Sequence, residues 1–170
     1  MSIQEKIMIP ARLIDTDKIN DSPGPYCMSF GFDPGLYIHS INEIGLVNTP
    51  LLIKNTDGEI DVISGYRRIQ AIKALKWNKI PCRILPESTL SALECLLLNL
   101  HDNLATRKFN IVEKSMLLNR LVEHFEKRPV LGTSPGEYLK QINMSFSLAM
   151  ILDNGRAVCS SHNVADAESP

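Results

Sequence analysis

The sequence predicts an α+β fold, a small mixed sheet with short helices, followed by a helical C-terminal portion. Three observations carry this expectation. Short β-rich runs alternate with helix-period segments as far as residue 85. Two of those runs, at 50–53 and 60–63, are separated by Asp57-Gly58, a strong hairpin signal. Beyond Pro86 the apolar residues recur only at helical spacing.

Taken in order, IMIPARLIDTDKI has a short apolar run and then Asp15-Thr16-Asp17, which reads as a strand and a turn. Residues 20–35 (NDSPGPYCMSFGFDPG) are dense in Gly, Pro, Ser and Asp and predict a long loop. A loop of that length is uncommon unless it binds something. LYIHSINEIG spaces Leu36, Ile38, Ile41 and Ile44 like one face of a short helix that Gly45 stops. After the hairpin, Ser64 is placed to cap a helix whose stripe is Ile69, Ile72 and Leu75. IPCRIL at 80–85 is the returning strand. TLSALECLLLNL then puts Leu90, Leu93, Leu97 and Leu100 on one helical face, and HDNLATRKFN interrupts it. IVEKSMLLNRLVEHFEKR is an amphipathic helix with Ile111, Met116, Leu117, Leu121 and Phe125 inward, and Asn110 with Glu113 fits a capping box at its start. GTSPGEYLKQI opens another helix with Pro135 at its first position. The last residues, from 153 on, are small and polar and predict a disordered tail.

Composition bounds the function classes. The chain has 170 residues, room for one ordinary domain or a domain with an appendage. The formal net charge is −1, so no global basic field advertises nucleic acid. The longest leucine run, at 96–98, is far below a membrane span, and MSIQEKIMIP lacks an apolar core of signal-peptide length. Cys27, Cys82, Cys95 and Cys159 are scattered, without a CxxC or a histidine at zinc-ligand spacing. A cytoplasmic protein with reduced, buried thiols is the expectation.

Three stretches carry chemistry. In Ser64-Gly65-Tyr66-Arg67-Arg68 two cations stand at a helix start, which the positive end of the helix dipole disfavours. A phosphate held by the first-turn N–H groups and the two guanidinium forks would remove that cost. Carboxylates pairing with the arginines on the surface would do the same. The second stretch, Gly45-Leu46-Val47-Asn48-Thr49-Pro50, is a backbone-exposed loop that can donate N–H groups to an anion, or is simple helix–strand punctuation. The third is His101-Asp102-Asn103 with Arg107. Asp and Asn side by side at a helix break can hold a hydrated Mg²⁺, and equally can cap a helix.

In this order the three stretches resemble the N-terminal domain of the ParB family, the ParB/sulfiredoxin fold. ISGYRRIQAIKALKWNKIPCRIL is similar to that family's G-E-R-R-x-x-A-x-x-x-x-G-x-x-x-I-P-V signature, and DNLATRKFNIVEK to its E-N-x-x-R-x-x-L-x-x-x-E segment. The resemblance covers about residues 8–128. It implies a pocket for CTP, or another nucleotide, with Mg²⁺, slow hydrolysis, and a nucleotide-gated role on DNA in chromosome partitioning or regulation. Carried over by position, Gly45, Thr49 and Pro50 line base and phosphates. Ser64, Gly65, Tyr66, Arg67, Arg68 and Arg107 cradle the triphosphate. Asp102 and Asn103 sit at the metal and the attacking water. Asp102 stands where the family has Glu, Thr106 where it has Arg, and the N-P-x-Q-P-R box is replaced by NDSPGPYCMSFGFDPG.

The resemblance divides the chain into a nucleotide-binding core at 1–86, a helical portion at 87–150 completing the pocket, and the tail at 151–170. SPGEYLKQINMSFSLAMIL would begin a truncated helix-turn-helix, and the family's C-terminal dimerisation segment is expected to be missing or incomplete. Expected partners are a nucleotide, DNA on the family's account only, and a second copy of the chain; no membrane is expected. The alternative is a phosphotransferase of the same fold resembling the free-serine kinases, with Asp33 or Glu43 as base. Sulfiredoxin chemistry is disfavoured, because no cysteine follows the Gly65 turn.

Overall fold

The computed structural model describes residues 3–20, 22–127, 150–153 and 156–159. Its elements in chain order are α1 (Ile3–Ile7), β1 (Arg12–Asp15), a 3-10 turn (Thr16–Lys18), α2 (Gly35–Ile44), β2 (Leu51–Lys54), β3 (Ile60–Ser64), α3 (Tyr66–Ala74), β4 (Lys79–Leu85), α4 (Ala92–Thr106), α5 (Ile111–Lys127), β5 (Met150–Asp153) and β6 (Arg156–Cys159). Four strands form a mixed sheet in the order β1-β4-β2-β3. The β2–β3 hairpin and the β1–β4 pair are antiparallel, whereas β2 and β4 run parallel across the α3 crossover. The α+β expectation holds, and the described residues of 20–34 form no helix or strand, with a single bridge from Ile19 to Ile60 just before them.

Strand alternation gives the sheet two apolar faces, and each acquires its own cover. Leu52, Val62, Ile80 and Cys82 face α2 and α3, where Ile41, Ile69 and Ile72 complete one core. Leu51, Ile53, Ile63 and Leu85 face the other way and pack with Cys95 of α4, with Ile3 and Ile7 of α1 alongside. Burial pushes the Cys82 thiol up to about 12, so it is an inert core side chain. One compact unit runs from the N-terminus to Phe109, past the change of period at residue 86, because α4 is needed to cover the second face of the sheet.

Several local expectations are corrected. The helix 35–44 buries Ile41, with Tyr37 and Ile38 packed beside it, while Leu36 and Ile44 are 82% and 69% exposed. Two stripes overlap at this spacing, and the sheet selects the one containing Tyr37. The helix α4 does not break at His101 but continues to Thr106. Ser91 and Glu94 form a full capping box at its start.

In the second unit, Asn110 and Glu113 exchange hydrogen bonds of 2.9 and 3.1 Å, the expected capping box of α5. Leu117 and Leu121 are buried as expected, whereas Ile111 is 44% exposed. The strands β5 and β6 pair antiparallel within the stretch read as a tail. Asn154-Gly155 between them is itself a hairpin signal. The helix expected at 132–142 and any helix-turn-helix built on it lie outside the described residues.

Asp61 is buried on β3, and burial raises its carboxyl pKa above the usual 3.8, against a lowering hydrogen bond with Asn55. The ionised form therefore costs stability once pH rises above 3.8 and through the raised folded value; below 3.8 the group is protonated in both states and the cost vanishes. Asp61→Asn should raise the melting temperature at about pH 7 and leave it unchanged at about pH 3. A lower melting temperature at the higher pH would show that the carboxylate's own hydrogen bonding outweighs its desolvation.

Candidate functional site

The site is organised by one irregularity in the sheet. β2 and β3 pair Leu51 with Ser64 and Leu52 with Val62, so Ile63 is an extra residue on β3. Regular alternation would send Ser64 to the α2/α3 face. The bulge instead leaves both Ile63 and Ser64 on the α4 side. There the Ser64 hydroxyl donates to Asp102 Oδ2 of α4. The chain then turns through Gly65, at φ +98°, and α3 begins. Gly65 is the helix-flanking residue and Ser64 is not, since the backbone conformation of the cap falls one residue later. A Cβ on Gly65 would lie 3.0 and 3.1 Å from Cβ and Cα of Pro50, so hairpin and helix start are pressed together there.

The two arginines part company. Arg68 donates through Nη1 to the carbonyl of Asn48 at 2.9 Å and pairs through Nη2 with Asp102 Oδ2 at 3.4 Å. Arg67 donates from Nε to Ser29 Oγ at 3.1 Å and lies 4.8 Å over the ring of Phe32, which packs edge-on against Tyr66. The dipole cost of two cations at a helix start is thus already offset within the chain, by Asp102 and the Asn48 carbonyl for Arg68 and by Ser29 and a ring face for Arg67.

Two cavities meet at this junction. The larger, about 430 Å³, is lined by Asn48, Thr49, Ser64, Arg68 and Asp102, and also by Arg83 and Ile7. The smaller, about 30 Å³, lies under Cys27, Met28 and Ser29 and reaches Gly65, Tyr66, Arg67 and Asn103. It has room for about one water. Arg68, Asp102 and Thr106 border both.

Most of the residues singled out in the sequence therefore converge: Thr49, Ser64, Arg68 and Asp102 on the larger space, Gly65, Tyr66, Arg67 and Asn103 on the smaller. Pro50 is buried against Gly65. Gly45, at φ +76°, ends α2 and lines neither. Arg107 also lines neither. Its Nε donates to Asn103 Oδ1 at 2.7 Å and its guanidinium lies over Phe109 at 4.6 Å. Asp102 and Asn103 both border the smaller space, and successive positions on a continuous helix give their side chains different partners. Asn103 donates to the Asn99 carbonyl at 2.8 Å, and Asn99 donates to the Ile63 carbonyl.

Among the described residues no three His, Cys, Asp or Glu side chains cluster as a metal cage. Mg²⁺ is content with one carboxylate plus phosphate oxygens, so Asp102 suits it, whereas Asn103 is committed to the ladder along α4. Asp33 accepts from the Gly35 N–H at 2.8 Å, and neither it nor Glu43 lines the site; the phosphotransferase reading finds no support. Asn48 lies in the Gly45–Pro50 loop that the sequence pointed to, whereas Asn99 and Arg83 were not singled out. The i, i+4, i+8 spacing of Asn99, Asn103 and Arg107 is legible once α4 is read as continuous, and Arg83 stands out as a cation on the inward alternation of β4.

Residues 37–101 match the family model of the ParB N-terminal domain. No curated protein matches the sequence. Among solved structures, the chain is similar to the C-terminally truncated chromosome-partitioning protein ParB from Caulobacter crescentus complexed with CTP-gamma-S (21% identity, 79% of this chain, 72% of that chain, TM-score 0.49). It is also similar to the truncated Caulobacter crescentus ParB complexed to the centromeric parS site (19% identity, 79% and 65%, TM-score 0.50). A Pnob8-like ParB-N domain matches at 14% identity over 88% of this chain and 56% of that one, with TM-score 0.52. The last two share the fold, and this chain spans less than two thirds of either. No helix among the described residues is long and apolar enough to cross a membrane.

Proposed function

We propose that this ParB-like domain binds a nucleotide, CTP by family resemblance, and acts as a nucleotide-dependent switch in DNA partitioning or regulation. The observation that carries the reading is the junction of Ser64, Arg68 and Asp102 on the wall of a cavity of about 430 Å³ at the start of α3. Anions are favoured at a helix start, and Arg68 presents a charged fork there beside the Ser64 hydroxyl and Thr49. A polyphosphate arriving from the larger cavity would compete with Asp102 for Arg68. The freed carboxylate is then available to Mg²⁺, which would neutralise phosphate charge when bound. Asn103 acts at one remove, by holding Arg107 and the inner turn of α4. The space under Cys27 and Ser29 is too small for a phosphate, so contact with the Tyr66 and Arg67 N–H groups requires that loop to yield. The DNA role rests on the family and on a ParB of the same fold seen on its parS site.

Calorimetric titration with CTP, ATP, ADP and GTP, with and without Mg²⁺, tests this reading. Preferential, Mg²⁺-enhanced binding of CTP is the expected result. Preference for ADP or ATP would redirect the reading to phosphotransfer, and a folded protein that binds none of them would end it.

A further inference from the structure

Arg83 on β4 is a cation at an inward position of a sheet. It pairs in register with Leu51 of β2 and faces the side covered by α1 and α4. It lines the larger cavity together with Arg68. Its Nε is buried with no hydrogen-bond partner, and its Nη1 reaches the Ile7 carbonyl only at 3.4 Å, at the long limit of a hydrogen bond. A buried guanidinium N–H with nothing to bond is costly, and a turn of the side chain toward the cavity it lines would let a ligand acceptor relieve that cost. Ser64 and Arg83 flank Leu51 on its two neighbouring strands, so they stand roughly 10 Å apart, two strand spacings. That separation is comparable to the distance from the phosphates of a nucleotide to its base.

We infer that Arg83 reads the base end of the nucleotide, donating its Nε–H and a neighbouring Nη–H to two adjacent acceptors on the base edge. This inference rests on the nucleotide-binding reading above, with the phosphates at Ser64 and Arg68. A guanidinium fork presents two parallel donors and matches an edge carrying two acceptors side by side. Cytosine offers O2 and N3 as such a pair. Uracil replaces the N3 acceptor by an N–H donor, which would confront the fork. Arg83 is thereby a specificity residue of a site whose affinity comes mainly from the phosphates.

The test titrates wild type, Arg83→Met and Arg83→Lys with CTP, UTP and inorganic triphosphate, after confirming that the melting temperatures agree. Wild type should prefer CTP over UTP by roughly tenfold or more. Arg83→Met keeps the apolar stem but no donor and should erase that preference. It should hold inorganic triphosphate within about twofold of wild type, since phosphate contacts carry that ligand. Arg83→Lys keeps the charge without the fork and should also lose the preference. A CTP preference that survives in Arg83→Met, or a wild type that never had one, overturns the inference. An equal loss of CTP and triphosphate in Arg83→Met overturns it too, because Arg83 would then serve the phosphates or the scaffold. A wild type that binds neither CTP nor triphosphate overturns the nucleotide reading itself, a separate result.

Discussion

Gly65→Ala should cost about 2–5 kcal/mol of folding stability and remove nucleotide binding. Two penalties add. A non-glycine residue in the left-handed region costs about 1–2 kcal/mol, and Gly65 sits there at φ +98°. The new Cβ would also press on Pro50 at 3.0 and 3.1 Å, and one of those atoms is backbone, so β2 and the α3 start must separate; such overpacking costs about 1–3 kcal/mol. The separation opens the junction at which Ser64 and Arg68 reach Asp102. Denaturant unfolding and calorimetry measure the two losses on one sample. Gly65→Asn separates the causes, because Asn tolerates the left-handed region yet still carries the Cβ. A loss below about 1 kcal/mol with binding intact would show that the turn does not depend on glycine.

Arg68→Ala should weaken nucleotide binding by about 1.5–3 kcal/mol, roughly tenfold to two-hundredfold, with little change in folding. Its pair with Asp102 is long and Asp102 is 46% exposed, so the pair itself contributes at most about 1 kcal/mol to stability. Arg67→Ala should weaken binding less, since Arg67 is engaged with Ser29 and Phe32 and borders only the smaller space. The ordering of the two variants is the informative result. Wild-type affinity in Arg68→Ala, or a larger loss in Arg67→Ala, would move the phosphates away from the cavity proposed for them.

Features decided within a few residues are legible in the sequence. The hairpin follows from Asp57-Gly58, α3 from the change of period after Gly65, and the α5 capping box from Asn110 and Glu113. The family signature at Gly65–Arg68 is of the same kind, being a turn followed by a helix start. Legibility fails where two local signals compete. His101-Asp102-Asn103 reads as a helix break because short polar side chains can bond their own backbone instead of the helix. Here those side chains have other partners, Ser64 and Arg68 for Asp102, and Asn99 with Arg107 for Asn103, so the competition is removed and α4 continues.

The sequence by itself determined the α+β class, the order of most elements of the first unit and the group of residues gathered around the α3 start. These depend on period, turn chemistry and spacing, all of which act along the chain. Only the tertiary structure decided which way Ser64 faces, because one extra residue in β3 reverses its side of the sheet and pairing with β2 cannot be read from β3 alone. It likewise divided the work of the two arginines and set Arg83, from the strand two places from β3 in the sheet, on the wall of the same cavity as Arg68. Contacts between strands and helices distant in sequence carry that information, and no local pattern records them.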